Sequence, residues 1–195
     1  MSKKFQAIDS LTVARRVLKI ESDAISSLIP RLGEEILEAC QICLKAQKKQ
    51  ARIVVIGMGK SGHIGSKIAA TLASTGSPSF FVHAGEALHG DMGMITSHDV
   101  VLAISNSGET DEIASVLPLI KRLNLPLITM TGNPNSTFAK AATINFDISV
   151  AEEACPLNLA PTASTTAALA MGDALAIVLL EKRGFKEEDF ANFHP

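Results

Sequence analysis

The fold class this sequence predicts is α/β: a three-layer αβα sandwich with a five-stranded, mostly parallel sheet between helical layers. Three observations point to it. From Arg52 onward, short apolar runs alternate with amphipathic segments over short connections, the pattern of repeated strand–helix–strand crossovers. The clearest run, Val100-Val101-Leu102-Ala103-Ile104, is apolar without alternation, as a strand covered on both faces must be. Finally, 47% of the 195 residues are hydrophobic although Trp and Tyr are absent, so Ala, Leu, Ile and Val must build the core. A chain of this length buries roughly 70% of its unfolded surface, and one domain over residues 1–195 is the expectation.

The elements follow in order. Residues 8–49 carry apolar positions at helical spacing (Leu11, Val13, Val17, Leu18, Ile25, Leu28, then Leu32, Ile36, Leu37, Leu44), and Pro30 marks a break between two helices. Two helices ahead of the first strand exceed what one α/β unit requires. They serve either an oligomer interface or plain cover for the sheet, and the sequence leaves both readings open. Ile53-Val54-Val55-Ile56 is a strand, Ser61 to Ser74 a helix, and Ser79-Phe80-Phe81-Val82 a strand. Val100 to Ile104 is the third strand, with a helix from about Asp111 to Leu123 behind it. Residues Pro126 to Met130 and Thr143 to Asp147 complete the five, separated by a short helix around Ser136 to Lys140. A last long helix starts after Ala160-Pro161-Thr162 and runs to about Arg183, where Gly184 stops it.

Composition narrows the partners. Eighteen basic against twenty acidic residues give a net charge of −2, which offers no electrostatic footprint for nucleic acid or an anionic membrane. The longest apolar run, Ala174 to Leu180, falls short of the ~20 residues that span a bilayer, and Asp173 interrupts it. A small molecule is the expected partner. Cys40, Cys43 and Cys155 are an odd count behind no secretory signal, which predicts a reduced, cytoplasmic setting. Cys40 and Cys43 are spaced like half a metal site or a redox pair, yet no second pair answers them. Their place in an amphipathic helix favours packing.

Two loops carry the chemistry. Gly57-Met58-Gly59-Lys60-Ser61-Gly62 satisfies the letter of the dinucleotide fingerprint, but the second strand ends Phe81-Val82-His83 with no carboxylate until Glu86 to hold ribose hydroxyls. The phosphate-loop pattern of nucleotide hydrolases fails too, because the position that needs its first glycine is Val54. What remains is a glycine turn that presents Lys60 and Ser61 at the carboxyl edge of the sheet. The second loop, Ser105-Asn106-Ser107-Gly108-Glu109-Thr110, leaves the same edge and runs into a helix. A helix N-terminus with three or four hydroxyls can hold a phosphate dianion without arginine.

These motifs resemble the sugar isomerase (SIS) family, and closely its arabinose-5-phosphate isomerase branch. The resemblance rests on the two loops, on His83-Ala84-Gly85-Glu86-Ala87-Leu88-His89-Gly90-Asp91, on Glu153-Ala154-Cys155-Pro156-Leu157-Asn158-Leu159-Ala160-Pro161-Thr162, and on Asp189-Phe190-Ala191-Asn192-Phe193-His194-Pro195. It spans Gly57 to the end of the chain. It implies the SIS fold and interconversion of ribulose 5-phosphate and arabinose 5-phosphate, the supply step for Kdo in lipopolysaccharide. It further implies a homotetramer with active sites shared between subunits, and no cofactor. Family members commonly continue past the His-Pro into a glycine-rich linker and paired CBS domains, whereas this sequence stops at Pro195. An isolated catalytic domain without CBS modules is therefore expected.

An aldose–ketose isomerisation passes a proton between adjacent carbons through an enediol, so it needs a carboxylate base, an oxyanion stabiliser and an acid/base for the hydroxyls. Triosephosphate isomerase meets this demand with a glutamate and a neutral histidine, without a metal. By the resemblance, the catalytic positions are Lys60, Glu112, Glu153 and His194, and the phosphate loop is Ser105, Ser107 and Thr110 with Ser61 beside it. Glu153 follows the last strand, where an acid has no evident structural duty, and it is the favoured carbon base; the sequence leaves Glu112 open for the same role. Lys60 stabilises the enediolate oxygen. His194 reaches a neighbouring subunit's site in the family. For His89 three readings stand: a substrate contact, an inhibitory metal site, or a hydrogen-bonded structural histidine. His63, His83 and His98 read as structural. Two rival functions remain, an isomerase of another sugar phosphate and a non-catalytic SIS module that senses sugar phosphates. A sensor has no need of the lysine, two glutamates and histidine, and the first 50 residues leave little room for a helix-turn-helix.

Overall fold

All five expected strands form one sheet, and every neighbouring pair in it is parallel. The structure, a computed structural model, describes residues 9–193. The strands are β1 (Ile53–Gly57), β2 (Ser79–His83), β3 (Val100–Ser105), β4 (Leu127–Thr131) and β5 (Ile144–Asp147), in the order β2-β1-β3-β4-β5. The order reverses between β1 and β3. That switch point opens a crevice at the carboxyl ends of the two strands, because the chain leaves them toward opposite faces.

Alternate strand residues feed two cores. Ile53, Val55, Leu102, Ile104, Ile128 and Met130 pack beneath α1 (Ser10–Leu28), α2 (Glu35–Gln47), α3 (Gly59–Ser74) and α8 (Ala163–Arg183). Val54, Ile56, Val101, Ala103 and Leu127 pack on the other face beneath α4 (Ala84–Ala87), α5 (Asp111–Ala114), α6 (Leu117–Arg122) and α7 (Thr137–Ala141). Both faces are covered, which is why these strands read as unbroken apolar runs.

By length and composition α8 could cross a membrane, with a mean hydropathy of 1.7 over its most apolar 18 residues. Here Ala167, Met171, Leu175 and Leu179 are buried against the sheet, and Gly184 ends the helix at φ 65° as expected. Cys40 and Cys43 are buried in α2, in agreement with packing. Helix α1 packs on α8 with one side and leaves the other exposed. Ala24 and Leu28 are buried on the side that meets α8, while Leu11, Leu18 and Ile25, seven residues apart, are exposed.

One expected helix is two. The segment from Asp111 to Leu123 breaks between α5 and α6, although its apolar spacing is continuous. Pro118 has no N–H for the carbonyl four residues back, and Ser115 Oγ donates 2.9 Å bonds to the carbonyls of both Asp111 and Glu112. A short 3-10 turn at Ile29–Arg31 carries the predicted Pro30 break, and Arg31 Nη2 donates to the Ser149 carbonyl at 2.7 Å, tying the N-terminal helices to the segment after β5. Helices α4 and α9 (Glu187–Phe193) were not expected.

Candidate active site

The β1 and β3 exits lie side by side, since Gly57 registers with Ile104 and Ser105 follows directly. A Cβ on Gly57 would sit 2.8 Å from the Ser61 carbonyl oxygen, so only glycine lets α3 start this close to its strand. Lys60 and Ser61 occupy the first turn of α3, the lysine exposed and the serine half-buried. Thus Lys60 and the hydroxyl loop share the switch-point edge, as the sequence predicts.

Within the loop, the hydroxyls differ in duty. Ser105 is 2% exposed; its Oγ accepts the Gly108 N–H at 3.0 Å and lies 2.8 Å from Thr110 Oγ1. Ser107 is exposed and accepts the Glu109 N–H at 3.2 Å. Gly108 takes φ 67°, and its carbonyl accepts the Phe138 N–H at 3.2 Å, while Glu109 Oε1 accepts the Thr137 N–H at 2.8 Å. The loop is therefore braced on the start of α7. Thr110 precedes α5, whose first turn holds the half-buried Glu112. Helix α4 packs against α5, which brings the exposed His89, just past α4, to the same side of the sheet. His83 Nδ1 accepts the Gly85 N–H at 3.2 Å and caps α4, matching its structural reading. Among the described residues, no three His, Cys, Asp or Glu side chains converge as metal ligands.

Glu153 departs from expectation, because it does have a structural duty. Its Oε2 accepts the Thr162 N–H at 2.7 Å, the Thr162 hydroxyl at 2.9 Å and the Ser164 N–H at 3.2 Å, capping the N-terminus of α8. Burial pushes its pKa up, but the donors on Ser164 and Thr162 outweigh that and hold the carboxyl below the usual range. The neighbouring Glu152 is exposed, so the two acids are not interchangeable. Glu153 also lines a cleft of about 250 Å³ with Asn106, Glu152, Asn158 and Pro161, placing the acid next to the hydroxyl loop. Asn106, Asn158 and Thr162 lie within the quoted motif segments but are not singled out by the sequence as site residues. The findable signal was Thr162, a helix-capping residue type at the predicted start of α8. His194 lies outside the described residues. A larger cleft of about 740 Å³, lined by Arg52, Phe80 and Met94 among others, opens at the amino-terminal edge of the sheet and includes none of the expected site residues.

Residues 47–178 match the family model of the SIS domain. This chain belongs to the SIS domain family. Over 190 residues it is 62% identical to the arabinose 5-phosphate isomerase KdsD of Pseudomonas aeruginosa, covering 97% of this chain and 57% of that protein. KdsD of Escherichia coli K12 is 54% identical over 187 residues, covering 96% of this chain and 56% of that protein. This chain thus spans little more than half the length of these curated relatives. An Escherichia coli CFT073 protein solved in complex with arabinose 5-phosphate matches with a TM-score of 0.91 at 41% identity, covering 98% of this chain and 100% of that one. The resemblance drawn from the motifs and the three-layer SIS fold are both borne out.

Proposed function

We propose that this SIS domain interconverts D-ribulose 5-phosphate and D-arabinose 5-phosphate through an enediol, serving Kdo supply for lipopolysaccharide in the cytoplasm. The observation that carries the reading is the likeness, along the whole of both chains, to a protein solved with arabinose 5-phosphate. The switch-point geometry supports it. Ser107 and Thr110, with Ser61 and the first turns of α3 and α5, anchor the phosphate, which is the non-reacting end of the substrate, and that binding energy positions the sugar. Glu153 stays ionised at the N-terminus of α8 and takes the proton from the reacting carbon. Lys60 stabilises the enediolate oxygen, Glu112 and His89 contact the sugar hydroxyls, and His194 supplies an acid/base from a neighbouring subunit.

The assembly is a homotetramer. The exposed Leu11, Leu18 and Ile25 of α1 and Ile177 of α8 support an interface there, since apolar side chains in a row are costly to leave in water. The unpaired state of Cys40, Cys43 and Cys155 agrees with a reducing compartment.

Incubation with ribulose 5-phosphate in heavy water should give arabinose 5-phosphate carrying deuterium at C2, read by proton NMR. Phosphosugar binding with no turnover would favour the sensing module instead. Glu153→Gln should bind substrate yet lose C2 exchange by at least about a hundredfold, the usual worth of a positioned base. Full exchange in that variant moves the role to Glu112.

A further inference from the structure

We propose that Thr162 is the positioning residue for the proton-abstracting carboxylate, its hydroxyl and backbone N–H clamping Glu153 Oε2 so that Oε1 is left for the substrate. The inference rests on Glu153 being the carbon base. Two features make the clamp directional. Ala154, which is buried, donates its N–H to Thr162 Oγ1 at 2.8 Å, so that oxygen is an acceptor there and its single proton goes to Glu153 Oε2 at 2.9 Å. The Glu153 main chain is held as well, its N–H donating to Asn158 Oδ1 at 2.7 Å. The Thr162 bonds all fall on Oε2, where the Ser164 N–H joins them at 3.2 Å and the Ser164 side chain adds to the hold, and Glu153 lines the cleft shared with Asn106. A carboxylate with one oxygen tethered can rotate little, so the other returns to one place on each turnover. The lining of that cleft brings one other charge, Glu152, and the first turn of α8 brings no acid.

The test compares Thr162→Val, which keeps the branched shape without the hydroxyl, with Thr162→Ser, which keeps the hydroxyl. Each is read by ¹³C NMR titration of the Glu153 carboxyl and by kcat and KM on arabinose 5-phosphate. In the valine variant the titration midpoint should rise by about one unit, and the acid limb of the kcat profile should follow it. The same variant should lose about tenfold in kcat at a KM within about twofold, the signature of an interaction used in the transition state. Serine should restore both. An unchanged kcat and midpoint in the valine variant overturns the proposal, as does equal loss in both variants with an unmoved midpoint. Should the valine variant fail to fold, a wild-type midpoint at or above about 4.3, the value of free glutamate, overturns it alone. A wild type with a low midpoint and no isomerase activity refutes the functional reading, while the midpoint shift still decides whether the clamp exists.

Discussion

The hydroxyls of Ser105 and Thr110 meet at 2.8 Å across the loop after β3, while the exposed Ser107 between them accepts the Glu109 N–H. On the proposed reading, Ser105 braces the loop and Ser107 is the hydroxyl offered to the phosphate. Ser107→Ala should raise KM for arabinose 5-phosphate about tenfold with kcat nearly unchanged, the loss of one charge-assisted hydrogen bond of about 1.5 kcal/mol. Ser105→Ala should instead lower stability by about 1 kcal/mol and disturb both constants, because the Gly108 N–H and the Thr110 hydroxyl lose a buried partner. Steady-state kinetics beside urea denaturation separate the two; equal effects from both would refute the division.

Gly108 is the hinge of that bracing. At φ 67° a side chain is strained, and a Cβ placed there would lie 2.1 Å from Ser136 Oγ and 2.4 Å from Ser136 Cβ. Gly108→Ala should cost about 2 kcal/mol or more, a fall in Tm of roughly 4–8 °C by scanning calorimetry. A Tm within a degree of wild type would mean that the loop repacks freely around Ser136.

How far these features were legible depends on whether their cause is local. The run Val100 to Ile104 reports its own burial, since a strand between two helical layers has no wet face. Gly57 and Lys60 were legible because a glycine turn between strand and helix has a fixed spacing. The break between α5 and α6 was not, because Ile113, Val116, Leu117 and Ile120 keep helical spacing across it. Pro118 and the back-bonding Ser115 decide the matter instead. Helix α4 is a single turn, too short for any period to show. The tether on Glu153 crosses eight residues of irregular chain to Thr162, a pairing that only the folded loop creates. The resemblance assigns Ser105 to the phosphate loop, and only the fold shows how deeply its hydroxyl is buried.

The three thiols should separate cleanly by environment. Burial, with a smaller push from Cys40, drives the Cys43 thiol up to about 12, and burial also raises Cys40. Cys155, in the Glu153 loop, is lowered by backbone hydrogen bonds, those of Ala160 and Leu159 first. The thiolate is the reacting form, so at pH 7 a chromogenic disulfide should modify Cys155 rapidly. Cys40 and Cys43 should react only on unfolding. Mass spectrometry after brief labelling checks this: a single adduct on the Cys155 peptide is expected, and early modification of Cys43 would contradict the packed α2 interface.

At the opposite edge of the sheet Asp99 is the charge on which the start of β1 depends. Its carboxylate is buried and accepts the Arg52 N–H at 2.8 Å, Arg52 Nη2 at 2.9 Å and the Thr96 N–H at 2.8 Å, while the guanidinium stacks 4.7 Å from the Phe80 ring centroid. Burial alone would raise its pKa, but the Arg52 side chain and the Thr96 and Arg52 N–H groups outweigh that and hold it below the usual range. A carboxylate with a depressed pKa stabilises the fold above its unfolded value, about 3.9, and that contribution is lost as pH falls through the lower folded value. Asp99→Asn should therefore cost about 2 kcal/mol at pH 7, less than a fully buried pair would lose because Arg52 is partly exposed. The gap between wild type and variant should hold at pH 5 and close below about pH 4. Urea denaturation midpoints measured from pH 7 to pH 3 test this directly. A gap that stays constant to pH 3 would show that the oxygen atoms, not the charge, hold Arg52 in place.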